Sequence, residues 1–294
     1  MKNIKTYLFL SLISYGLFMS CTSTNSVVSP TQKPNVQAYL APGQPITLNL
    51  STVIAYSDIT TPDSISRPID GQSIKIKTSD GKVFNLKSIG NGDYVSAKNE
   101  VVKFGIGYTL ELNFDGLPIS ATTTIPQKPT GFKLDKNSIS RTQRDFSQGF
   151  GGGGGPMGGG GPGGTQDDNT PIVASWNNPT GDYYFVAQLS QEANPEYVII
   201  TAANNTNNVG REIRRQINNQ PTTTSLANIQ PGSFQLFGKY AIILYRLNPD
   251  YAALYRSGGT SSQNISTPPT AITNALGIFT GVNTDTLSVT VLKK

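Results

Sequence analysis

The stretch from Gly107 to Pro126, GYTLELNFDGLPISATTTIP, decides the fold. Tyr108, Leu110, Leu112 and Phe114 alternate with Thr109, Glu111 and Asn113. That two-residue period belongs to a strand with one face in a core. Asp115-Gly116 supplies tight-turn chemistry, and Leu117 to Ile125 returns as a second strand. One hairpin is marginal in water, so such rows need a second sheet to face.

Working outward, the same pattern recurs upstream. Ile46, Leu48 and Leu50 alternate with Thr47, Asn49 and Ser51, and Pro45 stands at the strand's start, where a missing N–H costs least. Ile74 and Ile76 alternate with Lys75 and Lys77. Ser79-Asp80-Gly81 then turns the chain into Val83 to Leu86, and Asn91-Gly92 turns it again ahead of Tyr94 and Val95. These short strands between turn signals predict an antiparallel β-sandwich over residues 35–126.

Downstream, residues 127–170 read as a junction. Pro126 and Pro129 open it, and twelve of the sixteen residues from Gly149 to Gly164 are glycine. Glycine is costly to order and has no side chain to bury, so the tract is expected to be disordered. A second β-rich domain is expected over 171–294, with strands at Ile172–Trp176, Tyr183–Leu189, Tyr197–Ala202, Lys239–Leu247 and Leu287–Val291. Two short helices are expected within it. Val209, Ile213 and Ile217 recur every four residues among Arg211, Arg214 and Arg215. Asn248-Pro249 has the N-cap and first-turn residues of a helix that Gly258-Gly259 would end. The fold class expected is mainly β: two tandem antiparallel β-sandwich domains, immunoglobulin- or fibronectin-like.

The amino terminus speaks about place. Lys2 and Lys5 precede an apolar run that ends in Leu17-Phe18-Met19-Ser20-Cys21. A positive region, an apolar region and a small residue before a cysteine make a lipoprotein leader over residues 1–20. Cys21, the single cysteine of the chain, would be acylated, palmitate being a typical chain, and residues 21–34 would be a flexible tether. Phe18 stands where such leaders usually carry leucine, and the competing reading is an ordinary leader with an incidental cysteine. Nothing after Cys21 approaches the roughly 18 apolar residues of a spanning helix.

Composition excludes several chemistries. The chain has no histidine, which removes Ser-His-Asp and Cys-His catalysis and histidine-based zinc sites. The net charge of +5, two units of it in the leader lysines, is too small and scattered for a nucleic-acid footprint. Ser79-Asp80-Gly81-Lys82 has Ser-x-x-Lys spacing but falls in a turn, where that chemistry needs a helix start. Gly232 to Lys239 resembles a phosphate loop with the wrong glycine spacing and Tyr240 in the hydroxyl position. Asp167-Asp168-Asn169 lacks the spaced ligands of a calcium loop. Trp176, Tyr183, Tyr184, Tyr245, Tyr251 and Tyr255 are candidates for a sugar- or peptide-binding face, with core packing as the competing role. No catalytic, metal or cofactor residues are expected.

Several segments together resemble a family. These are Val36-Gln37-Ala38-Tyr39-Leu40-Ala41-Pro42-Gly43-Gln44-Pro45, Gly92-Asp93-Tyr94, Gly107-Tyr108-Thr109-Leu110, Ser120-Ala121-Thr122-Thr123-Thr124-Ile125-Pro126 and Asn274-Ala275-Leu276-Gly277-Ile278-Phe279. They are similar to the Bacteroidetes lipoproteins called domain of unknown function 4249. The resemblance implies an outer-membrane lipoprotein that accompanies a TonB-dependent receptor, with no enzyme activity and no catalytic residues to carry over. Surface-exported lipoproteins of that phylum often carry acidic residues after the lipid cysteine. This chain has none between Cys21 and Asp58, which leaves the periplasmic and surface faces both open. The expected function is therefore a non-catalytic partner of a TonB-dependent nutrient transporter. A surface adhesin or carbohydrate-binding module and, below it, a carboxylate-based hydrolase are the alternatives.

Overall fold

The last strand of the chain, β18 (Leu276–Lys293), is 18 residues long and has three different neighbours. At about 3.3 Å per residue it spans roughly 60 Å. Its first third runs parallel to β1 (Pro34–Leu40), its middle antiparallel to β17 (Gly238–Leu247), and its end parallel to β10 (Ser138–Arg141). It thereby joins two sandwich-like bodies into one 13-stranded sheet among the described residues. The structure is a computed structural model and describes residues 33–53, 66–146, 167–201, 214–256 and 271–294. Cys21 and the glycine tract lie outside them.

In the first body, β2 (Thr47–Val53) pairs with β1, β3 (Ser66–Pro68) and β6 (Asp93–Val95). A second layer is built from β4 (Ile74–Thr78), β7 (Gly107–Phe114) and β8 (Leu117–Thr124). The strand β5 (Val83–Gly90) serves both layers, its first half pairing with β4 and its second with β6. The expected alternation is present. Ile46, Leu48, Leu50, Ile74, Ile76, Tyr108, Leu110 and Leu112 are buried in one core, while Thr109, Glu111 and Asn113 point outward. At the Asp115-Gly116 turn both residues have positive φ, 50° and 79°, the geometry of a two-residue hairpin that follows strand twist.

The second core also draws on residues that precede 171. Residues 127–146, expected as a junction, carry β9 (Thr130–Leu134), β10 and β11 (Arg144–Phe146). Phe132 and Leu134 of β9 pack on the second core. Prolines before β9 and the shortness of each strand hide them from a pattern of turn signals. β9 forms a three-stranded layer with β12 (Ile172–Asn177) and β16 (Leu226–Ile229). That layer's core row of Ile172, Ala174 and Trp176 belongs to one cluster with Tyr184 and Val186 of β13 (Tyr183–Ser190) and Tyr240, Ile242 and Leu244 of β17. On β13, Phe185 and Ala187 are buried on the opposite face, so the strand is covered on both sides. That explains its continuous apolar run.

Two further expectations change. Arg215–Ile217, read as the end of an amphipathic helix, is the edge strand β15, paired with Ala187–Leu189. The vacant edge of β13 offers hydrogen bonds that a recurrence of Val209, Ile213 and Ile217 does not reveal, and residues 202–213 lie outside the description. The second helix is present as α1 (Pro249–Arg256), with its expected glycine stop outside the described residues. The sheets are mixed rather than purely antiparallel, because β18 accepts β1 and β10 in parallel and β11 pairs in parallel with β14 (Ile199–Thr201). Non-local pairings of this kind leave no local turn signal. Ile272, Ala275 and Phe279 return to the first core from the far end of the chain.

The second core predicts an alkaline response. Tyr240 is almost fully buried, its hydroxyl donates to the Leu236 carbonyl at 3.1 Å, and burial pushes its phenol up to about 12. Its folded value lies above the ordinary 10.0, so its contribution is complete below pH 10 and is lost as pH rises towards 12. About 2–3 kcal/mol is expected to disappear over that interval. Burial pushes Tyr108 and Tyr184 in the same direction. Urea midpoints measured from pH 8 to 12 are expected to fall steeply above 10, and less steeply in Tyr240→Phe. An unchanged slope in that variant would remove Tyr240 from the account.

Candidate functional site

The outer face of the large sheet carries a strip of aromatic rings. Its origin is the alternation of β1: Val36, Ala38 and Leu40 point into the first core, so Gln37 and Tyr39 point out. Tyr39 remains 46% exposed. The helix α1 lies over the same face and brings Tyr251 to Tyr39, edge to face, with ring centres 5.4 Å apart. Tyr251 meets Phe185 of β13 at 6.3 Å, and Phe185 stacks on Tyr245 of β17 at 4.5 Å and 13°. Cross-strand register explains the stack, because Phe185 and Tyr245 are directly opposed. Arg215 of β15 closes the strip. Its guanidinium lies 5.7 Å from the Tyr245 ring centre, and Nη2 donates to the Tyr245 hydroxyl at 2.9 Å. Thr280 of β18 donates to Asp250 at 3.1 Å, which ties α1 to the sheet.

Beside Tyr39 lies a shallow concavity of about 350 Å³, lined by Gln37, Thr47, Asn49, Ile89 and Asp93. Asn49 donates to Asp93 at 2.8 Å, which fixes an amide and a carboxylate side by side on the exposed face. Ring face plus planar polar groups is a surface that can stack and hydrogen-bond a ligand, and it contains no nucleophile–base pair.

The aromatic candidates from sequence divide by face. Trp176 and Tyr184 are core residues, tilted together at 5.5 Å. Tyr183, Tyr245 and Tyr251 are half-buried on the outer face. The side chain of Tyr255 lies outside the description. Tyr39 and Phe185 join the strip without having been singled out for binding. For Tyr39 the signal was present, since the buried row of β1 leaves it outward. For Phe185 there was none, because both faces of β13 are apolar.

The acidic candidates are engaged by cations. Asp168 meets Lys136 at 3.0 Å, and hydrogen bonds from Thr170 and Lys136 hold its carboxyl below the usual range. Burial pushes Asp167 up, but the Thr142 hydrogen bonds and the Arg141 and Arg144 charges outweigh it, and the net shift is downward. Carboxylates so neutralised do not suit a calcium site. Among the described residues no group of three metal-binding side chains converges. Ser79 accepts from the Gly107 amide at 3.0 Å in the β4–β5 turn, and Pro231–Ser233 is a short 3-10 turn with no phosphate-loop helix behind it.

Comparison with known proteins gives a family. The family model described as domain of unknown function (DUF4249) matches residues 23–288. No curated protein matches the chain in sequence. Among solved structures, a two-domain fibronectin type-III segment of chicken tenascin is similar at 10% identity and a TM-score of 0.21, over 73% of this chain and 90% of that one. The FN1–FN3 domains of chicken CNTN1 are similar at 10% identity and 0.23, over 74% of this chain and 59% of that one.

Proposed function

This chain belongs to the DUF4249 family, and on that premise we propose that it is a non-catalytic outer-membrane lipoprotein. Acylated Cys21 would anchor it, and a TonB-dependent nutrient transporter would be its docking partner. The observation that carries the reading is the strip from Tyr39 through Tyr251, Phe185 and Tyr245 to Arg215. Tyrosine and arginine around an apolar centre have the composition of protein-binding hot spots. A lipid anchor confines the protein to the membrane plane and raises its effective concentration near a barrel. Pull-down from membranes in mild detergent is expected to retrieve an outer-membrane barrel. Joint replacement Tyr39→Ala and Tyr245→Ala is expected to weaken that retrieval about ten-fold, the loss of a single hot-spot contribution or more. Retrieval of no barrel counts against the reading.

A carbohydrate-binding role is the second reading, favoured by the concavity in which Gln37, Asn49 and Asp93 flank Tyr39. Specific hits on a glycan array, lost in Tyr39→Ala, would put it first. An array without hits would remove it.

A further inference from the structure

Within the large sheet the two bodies are joined at one point of β18. Gly281 makes the last pair with β1, opposite Leu40, and Val282 makes the first pair with β17, opposite Leu247. β1 and β17 lie on opposite edges of β18, so the sheet passes from one body to the other through a single strand there. A few residues at the end of an element suffice for a hinge, and linked bodies move relative to one another by default. Here the end of β8 lies across the crossing. The Thr123 hydroxyl accepts from the Gly281 amide at 2.9 Å and from the Asn248 side-chain amide at 3.1 Å. The same Asn248 nitrogen donates to the Thr124 carbonyl at 2.8 Å, and Asn283 donates to the Pro126 carbonyl at 2.9 Å. Thr123 and Asn283 are buried. The approach is close, since a Cβ on Gly281 would stand 2.2 Å from the Thr124 carbonyl oxygen.

The aromatic strip crosses the same junction. Tyr39 comes from β1 of the first body, whereas Phe185 and Tyr245 come from β13 and β17 of the second. Tyr251, which meets both sides, stands on α1, and Asn248 is the residue before that helix. Beneath the strip, Ala41 of the first body packs against buried Phe185, Ala187, Leu247 and Val282. Hydrogen bonds in such a low-dielectric setting are strong when complete and costly to break. We propose that Thr123 and Asn248 clamp the single-strand crossing and are the positioning residues of the strip. The two bodies then present Tyr39 and Tyr251 as one rigid surface, and a partner meets both bodies at once. That a partner docks there rests on the role proposed for the strip, whereas the clamp rests on the geometry alone.

Pulsed spin-label distance measurement tests the clamp without any partner. The full mature chain with Cys21→Ser, secreted behind an ordinary leader, carries labels at Val83→Cys in the first body and Leu226→Cys in the second, positions 47% and 52% exposed. One narrow distance is expected. Thr123→Val keeps the side chain's size but loses the hydroxyl, and Asn248→Ala loses the donor. Each is expected to replace the narrow distance with a broad range, while Thr123→Ser, which keeps the hydroxyl, restores it. A second pair within one body, Ile217→Cys with Leu226→Cys, is expected to stay narrow throughout, which separates loss of the clamp from general loosening. A broad distance in the protein with Thr123 and Asn248 intact overturns the clamp, and so does a narrow one in both variants. Barrel retrieval undiminished by Thr123→Val and Asn248→Ala overturns the positioning role. Failure of the unsubstituted protein to retrieve a barrel counts against the docking role and leaves the distances as the test of the clamp.

Discussion

Gly277→Ala is expected to cost more stability than most single substitutions in this protein, about 2–6 kcal/mol. Two separate reasons add. The residue has φ of +96°, a conformation that a side chain rarely adopts and that costs about 1–3 kcal/mol. A Cβ there would also stand 2.1 Å from the carbonyl oxygen of Val36 and 2.6 Å from the Asn35 side chain. The Val36 contact is with backbone, which cannot swing aside as a side-chain end can. Val36 is the residue paired with Gly277 in the parallel β1–β18 ladder, and its side chain is fully buried in the first core. Relief requires moving β1, which also holds β2, and overpacking of that kind adds about 1–3 kcal/mol.

The loss is large against a total of about 5–15 kcal/mol for a typical protein. It also falls on the ladder through which the first body receives Phe279 and its neighbours. The urea midpoint is expected to drop sharply, with early proteolysis near β1. Gly232→Ala is the control, because its Cβ is unopposed and surface changes of that kind stay within about 0.5 kcal/mol. Equal midpoints for the two variants would show that β18 does not hold the first body as described.

The same ladder marks where the sequence stops being legible. The β7–β8 hairpin is written locally: an alternating row, Asp115-Gly116, and a returning row determine both strands and their register. The pairing of β1 with β18 joins Asn35–Leu40 to Leu276–Gly281, and nothing within either segment names the other. Only the unusual demand on Gly277 records it, and a lone glycine in a strand has several explanations. The strip divides in the same way. Tyr245 and Tyr251 were visible as candidates, but their separation from Trp176 and Tyr184 depends on which face of β13 and β17 looks outward. Where Phe185 and Val186 are both buried, residue type cannot tell the two faces apart.

The second large effect is expected at Cys21, through location rather than folding. A leader ending in Ser20-Cys21 places the cysteine where acylation would make it the first residue of the mature chain. Each buried methylene of an acyl chain contributes about 0.8 kcal/mol, and one chain alone binds only marginally, so stable anchoring needs several. Removing all of them should move the protein almost entirely from the membrane pellet to the soluble fraction. No helix of the described residues is long and apolar enough to cross a membrane in their place. The substitution must be tested behind an ordinary cleavable secretory leader, because an uncleaved lipoprotein leader would itself hold the protein at the membrane. The described cores draw on no residue before Val36, so the urea midpoint of Cys21→Ser is expected to match the unsubstituted protein. Detergent extraction followed by mass measurement should show acyl chains on the unsubstituted protein and none on the variant. An unsubstituted protein that is soluble and carries no acyl chain would refute the anchor, and the effective-concentration argument for a barrel partner would fall with it.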